Sequence, residues 1–447
     1  MQVGEPAAAA AGGGTAARTE WEALVIEITF KTDITSALDR AAIAAPHWKE
    51  GEDPTDSFPM ARQLHMGSGP FSKKAATYKV KAAGGPTEVE VKVRVTKCVN
   101  VSGTGALKGV LGSLEIHGSC PLAAGEHTIS AHIQEMPKEI AYFHGMMNWR
   151  VEASPFGQRA MNGTLVELFF VLDTPYSRYT AGVWVEALRL VCLRGPVTGI
   201  GKSDDLRAVG NITRYCHTDH EMYYDVWHGA SDFVPGGAGG DFQLWNYLHR
   251  ATRKVNCYDQ AGAVQSLAGC LGIRPTWIYL RPYGFIRETS LVGWPGQCNS
   301  PFFRAIVAVM VLGQNDAART SFNNHAFIEH GSVAPGLGAA IGVGAALGGV
   351  GGGVIGAIAG GGVGALIGAL AGAVVGAVIG AAVALGAESG GYIFDACAGP
   401  HIGTESRTQY LAAGIDKATT LYGTGYHVAA PGVPGNMVVY PGVAAII

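Results

Sequence analysis

Cys257 stands at the head of KVNCYDQAGAVQSLAGCLG, residues 254–272, a stretch that could make its thiol a nucleophile. Asn256 is a good N-cap. Ala261, Val264, Leu267, Ala268 and Leu271 recur at helical spacing, so the pattern predicts a buried helix over 258–271, ended by Gly272. A thiol at the start of such a helix feels the positive end of its dipole and its unpaired amides. Both favour thiolate over thiol, and the amides suit an oxyanion formed on an acyl substrate. A cysteine at a helix start also serves simply as a small buried side chain, so the chemistry depends on what accompanies it.

Two later segments supply the accompaniment. NNHAFIEH, residues 323–330, alternates His325, Phe327 and Glu329 with Ala326, Ile328 and His330, as a short strand does. GYIFD, residues 391–395, reads the same way and ends in the carboxylate of Asp395 before the turn ACAGP. Cysteine, then histidine on a strand, then aspartate closing the next strand are the types needed for nucleophile, base and orienter in thiol acyl transfer. On NCYDQA with its helix, NNHAF and GYIFD, the chain resembles the transglutaminase-like superfamily of papain-type cysteine enzymes, over residues 201–409 less an insertion. The resemblance implies Cys257 as nucleophile, His325 as general base and Asp395 as the residue that orients the imidazole. It departs from the family in one respect: two strands normally joined by a short hairpin carry His325 and Asp395 70 positions apart (395 − 325).

The intervening residues 331–387 contain no charged side chain and are almost wholly Gly, Ala, Val, Ile and Leu. Glycine recurs at every fourth position from Gly344 to Gly380, a glycine zipper that lets helix backbones approach closely in an apolar host. In water, so much glycine opposes helix formation by about 1 kcal/mol per residue relative to alanine. Removing these 57 residues (387 − 331 + 1) leaves His325 and Asp395 13 apart (70 − 57), a hairpin's length. Both ends of the insertion must then return to one place. The simplest form is two antiparallel helices of membrane-spanning length, with a disordered linker or a helix pair buried in the protein as alternatives.

The rest of the chain divides around this unit. Residues 1–20 are an Ala/Gly-rich tail without the basic and apolar regions of a signal peptide. Residues 21–196 read as strands of period two, at 21–31, 77–82, 88–96, 110–116, 127–134, 148–152, 165–172 and 183–192, an antiparallel β-sandwich with a docking or binding role. Residues 197–330 and 388–447 form the expected α+β transglutaminase/papain-like core, with residues 331–387 as the inserted hairpin. Within that core, 241–253 reads as an amphipathic helix, 273–286 as a strand and 301–312 as a buried strand or helix.

Composition narrows the partners. A net charge of −3 with 15% charged residues gives no electrostatic case for nucleic acid. Eight cysteines lie scattered without framework spacing, which suggests reduced thiols, with Cys397 placed to pair with Cys257 as a redox lock. CHTDHEMYYDVWHG, residues 216–229, crowds histidines but in the order H-x-x-H-E, which offers no metalloprotease geometry, so no metal or other cofactor is expected. The expected substrate is a protein or peptide amide. With no signal peptide and an apolar arm at 331–387, the expectation is a protein made in the cytoplasm and delivered by secretion or injection as an effector or toxin, associated with a membrane at its target and kept by an immunity protein or chaperone. The alternative of another class is a membrane-permeabilising protein whose hairpin is the active element and whose triad is dispensable.

Overall fold

The computed structural model describes residues 19–59, 69–80, 87–154, 156–193, 205–237, 239–281, 289–294, 324–331, 391–414, 436–440 and 442–447. The expectations for the N-terminal tail, residues 301–312 and nearly all of the 331–387 insertion lie outside these residues. Among the described residues, no helix is long and apolar enough to cross a membrane. The fold is rich in sheet, with several sheets and few helices.

Among the described residues, nine strands of the N-terminal part share one large sheet, beside two small sheets of short strands: β1 (Glu20–Phe30), β2 (His47–Lys49), β3 (Ala76–Lys79), β4 (Glu88–Val99), β5 (Thr104–Leu111), β6 (Leu114–Pro121), β7 (Gly125–Ile133), β8 (Ala141–Ala153) and β9 (Gly157–Val171). Instead of a two-sheet sandwich they make one continuous sheet, ordered β2-β1-β4-β7-β6-β5-β8-β9-β3, antiparallel except where β9 meets β3. The sheet curls until β9 reaches β1. There the Asn162 side chain accepts from the Val25 amide at 2.7 Å and donates to its carbonyl at 2.9 Å, beside a bulge in β1. An amide side chain thus satisfies the backbone groups that a bulge leaves unpaired.

Two of the expected strands are otherwise in the structure. Residues 110–116 straddle a tight β5–β6 hairpin turn, where Gly112 takes φ +59°. Residues 183–192 contribute only the two-residue strand Val183–Trp184 and then helix α1 (Val185–Leu193). An apolar run buried on all sides has no period that separates strand from helix. Here the deciding contacts are tertiary: Glu186, one of its two charged residues, accepts from the Asp39 amide at 2.7 Å.

β9 is a wall shared by two apolar cores. Val166, Leu168 and Phe170 point into the core enclosed by the large sheet with Trp21, Val91, Val93, Ile116 and Trp149. Phe169 and Val171 point the other way, into a core that includes α1 and the C-terminal elements, so this second core draws residues from both sides of position 196. Burial on both faces explains why the end of β9 is continuously apolar. The exception, Glu167, faces Arg189 of α1, which donates to both its carboxylate oxygens at 2.7 Å. Arg189 also pairs with Asp56, donates to the Ser72 carbonyl, and lies 4.8 Å from the ring centroids of both Phe58 and Phe71. Both members of the Arg189–Glu167 pair are fully buried.

The second unit is built on a five-stranded antiparallel sheet: β10 (Thr276–Arg281), β11 (His325–His330), β12 (Tyr392–Asp395), β13 (His401–Ser406) and β14 (Asn436–Tyr440), ordered β13-β12-β11-β10-β14. Around it pack α2 (Asp205–Arg214), α3 (Leu244–Leu248), α4 (Cys257–Cys270) and α5 (Arg407–Gly414). The helix expected over 241–253 is limited to α3, and 215–219 continue α2 as a wider π turn.

Removing the cation from a buried ion pair leaves an uncompensated buried charge, at a cost of about 3–5 kcal/mol. Arg189→Ala is therefore expected to lower unfolding stability by about that much in urea titration, mostly relieved in the double variant Arg189→Met, Glu167→Gln. A loss below about 1 kcal/mol for Arg189→Ala contradicts the role of this pair in joining the two cores.

Candidate active site

α4 begins at Cys257, and its start is fixed by reciprocal hydrogen bonds. Asn256 Oδ1 accepts from the amides of Tyr258 and Asp259 at 2.9 and 3.2 Å, and Asp259 Oδ2 accepts from the Asn256 amide at 3.0 Å. This is a capping box with Asn and Asp in the two roles. Asp259 is fully buried and also accepts from the amides of Asp232, Phe233 and Val234 and from the Ser231 hydroxyl. Burial nevertheless pushes its carboxyl up to about 6. One side chain therefore ties the head of α4 to the 231–234 loop.

The body of α4 is buried on every side, with Tyr258 as the partly exposed exception. Both of its glutamines are paired: Gln260 donates to the Cys216 carbonyl and accepts from the Tyr247 hydroxyl, while Gln265 donates to the Pro275 carbonyl and accepts from the Val443 amide. Gly272 ends the helix at φ +83°, where a Cβ would lie 2.3 Å from the Asp173 carbonyl oxygen. The helix is thus a fixed post, and Cys257 at its tip is 4% exposed.

The β11–β12 register brings the second and third residues together. Ile328 pairs with Phe394, Glu329 with Ile393 and His330 with Tyr392. Continuing that register puts Asp395 opposite Phe327, hence diagonal to His325 on the same face, within reach of long side chains. His325 Nε2 donates to Asp395 Oδ2 at 2.7 Å, and both side chains are buried. At the far end of the pair, the Gly391 amide donates to Glu329 at 2.7 Å, and a Cβ on Gly391 would meet the carbonyls of His330 and Gly331. The chain leaves and re-enters the sheet at one point, which is the hairpin closure inferred from the spacing.

With Nε2 on the carboxylate, the other ring nitrogen of His325 is left for the Cys257 sulfur. Burial alone would push the imidazole down. The charge and hydrogen bond of Asp395, with a hydrogen bond and charge from Cys257, outweigh burial and hold it up at about 10. For Asp395 burial favours the acid form, but His325, the charge of His401 and the Tyr410 hydroxyl bring it down to about 2. The site therefore favours imidazolium beside carboxylate. A second strap connects the nucleophile and base segments: the Tyr258 hydroxyl donates to Asn324 Oδ1 at 2.7 Å.

The other titratable residues of this region have separate places. His220 bonds the Tyr215 hydroxyl and the Tyr247 carbonyl, and His217 bonds the Ala396 carbonyl at 3.1 Å. Cys270 donates to the Leu267 carbonyl inside α4. Cys257 and Cys397 both carry free thiols. The sequence reading found the Asn256 cap but not its partner Asp259, which the acidic residue three places after an N-cap could have signalled. Tyr410 and His401, by contrast, are single residues in segments with no local pattern, and only the tertiary fold places them beside Asp395.

The pair makes stability pH-dependent. Because the folded value of His325 lies above the ordinary 6.5, its contribution is fully present below 6.5 and lost as pH rises through about 10. Because that of Asp395 lies below the ordinary 3.8, the contribution is present above 3.8 and lost as pH falls through about 2. The stability difference between the parent chain and Asp395→Asn, followed by urea titration, is expected to be flat and largest between these ordinary values and to shrink toward both extremes. A difference independent of pH contradicts the pairing.

No family model matches the chain, and no curated protein matches it. Among solved structures, the chain is similar to the crystal structure of red sea bream transglutaminase, at 11% identity and a TM-score of 0.35, covering 58% of this chain and 46% of that one. The chain thus spans about half the length of that protein. A likeness at this level leaves the geometry of the site as the basis for a functional assignment.

Proposed function

We propose that the chain is a thiol-dependent acyl-transfer enzyme with Cys257 as nucleophile, His325 as general base and acid, and Asp395 as the group that orients the imidazole. The observation that carries this is the buried 2.7 Å bond from His325 to Asp395, with Cys257 at the helix head among the groups that raise the same imidazole.

The steps follow from these positions. The Cys257 sulfur adds to an amide carbonyl carbon, its proton having passed to His325. The carbon–nitrogen bond breaks as the imidazolium gives that proton to the departing amine, leaving a thioester. A second nucleophile adds to the thioester, gives its proton to His325 and expels the sulfur, restoring the starting pair. Water yields a carboxylic acid, as in a peptidase, amidase or deamidase; a primary amine yields a new amide, as in a transglutaminase. The oxyanion contact is narrower than the sequence suggested. The amides of Tyr258, Asp259 and Gln260 already donate to Asn256, which leaves the amide of Cys257 itself as the donor at the head of the helix.

The four-residue glycine spacing of 331–387 favours a second element in the proposal. The insertion leaves the sheet at the end of the β11–β12 pair away from His325 and Asp395 and acts as an apolar arm toward a membrane, in a protein delivered as an effector and accompanied by a chaperone or immunity protein.

With p-nitrophenyl acetate as acyl probe, the parent chain is expected to release a stoichiometric burst of nitrophenolate that Cys257→Ala abolishes and Asp395→Asn slows by about 100-fold. Ammonia release, amine incorporation and new peptide termini, measured on a glutamine-containing peptide, then separate the three outcomes. A full burst from Cys257→Ala contradicts the enzyme. Replacing 331–387 by a short turn is expected to keep the burst and abolish binding to phosphatidylcholine/phosphatidylglycerol vesicles; vesicle leakage unchanged in Cys257→Ala but lost with the turn makes the arm the active element instead.

A further inference from the structure

Asp395 has more partners than an orienting carboxylate needs. Oδ1 accepts from the amides of Cys397 and Ala398 at 2.8 and 3.1 Å, which already fixes the plane of the group. Oδ2 accepts from His325 at 2.7 Å and from the Tyr410 hydroxyl at 2.6 Å. Two strong donors therefore share one oxygen in a site closed to water, with Asp395 and Tyr410 each 1% exposed. The Tyr410 ring is held edge-on to His401 at 4.7 Å and against Phe327 at 4.9 Å, so its hydroxyl has a fixed aim.

We propose that Tyr410 is a positioning residue for the acyl-transfer reaction: by occupying half of Oδ2 it weakens the hold of Asp395 on the His325 proton, so that the imidazole can give that proton up during turnover. A carboxylate with only His325 on that oxygen would stabilise the imidazolium further. Over-stabilised, the ring is a poor base toward water in the thioester and a poor acid toward the leaving amine. Other groups face the pair. Cys257 approaches from α4, His401 with its partner Glu405 from β13, and neutral His217, pushed down to about 4 by burial, from the π turn after α2. Tyr410 differs from all of these in donating a hydrogen bond to the oxygen that His325 uses.

The inference rests on the proposed acyl-transfer site, and its test separates the two. In the thioester the thiolate is gone, so the acid limb of steady-state p-nitrophenyl acetate hydrolysis after the burst reports the proton affinity of His325. Tyr410→Phe is expected to move that limb to higher pH and lower kcat near neutrality about tenfold, with KM falling alongside it and kcat/KM changed less. A 3-fluorotyrosine at position 410, a stronger donor with the same shape, is expected to move it to lower pH. Opposite shifts support the assignment. A limb that stays in place for both, or a uniform fall in rate at all pH values, overturns it and leaves a structural role. If Tyr410→Phe does not fold, the direction of the fluorotyrosine shift decides alone. A burst lost in Cys257→Ala while the limb stays fixed removes only the role of Tyr410. A burst kept in Cys257→Ala removes the site and this inference with it.

Discussion

A carboxylate buried away from water must be met by donors or neutralised, and the described part of this protein is organised around three such groups. Asp395 is met by an imidazole, a phenol and two amides, and holds the candidate catalytic ring. Asp259 is met by amides and a hydroxyl, and fixes the head of the helix that carries Cys257. Glu167 is met by the guanidinium of Arg189, the Tyr142 hydroxyl and the Ser72 amide, and joins the two apolar cores. Each stands where two elements distant in sequence must keep one geometry. Polar groups with a specific set of partners select a single arrangement, whereas apolar packing tolerates several.

The candidate site separates the parts that fix geometry from the groups proposed to react. α4 is a rigid post, and the β11–β12 pair fixes the distance between base and orienter by register alone. Neither depends on what lies between His330 and Gly391, because the strand pairing and the Gly391–Glu329 bond close the hairpin at its base. That is the physical reason a sheet can carry a long insertion here. Loop-closure entropy rises only slowly with length, and both ends are held by contacts the insertion does not make.

The elements that carry the candidate site were legible because their signals are local. A cap, an apolar helical period and a terminal glycine set the α4 boundaries to within a residue, and two short alternating runs identified β11 and β12. The closing of the hairpin followed from counting. The fold around the site was less legible. The run at 183–192 is buried on all sides and has no distinguishing period, so α1 was expected as a strand. The turn at Gly112 interrupts a run whose alternation continues on both sides of it. Whether nine strands form two sheets or one curled sheet depends on contacts such as that of Asn162 with Val25, between residues 137 apart. Tyr410 shares that limitation, since nothing near it in the chain announces its contact with Asp395.

The central claim is that a buried carboxylate holds the proton on His325 beside the Cys257 sulfur. Titration of the His325 ring by NMR, with nitrogen-15-labelled histidine and assignment by Asp395→Asn and His325→Gln, tests it most directly. The account predicts a ring that keeps both protons well above the ordinary 6.5, to about pH 10, and loses that stabilisation in Asp395→Asn. A ring that titrates at or below 6.5 in the parent chain, unchanged by Asp395→Asn, would contradict it.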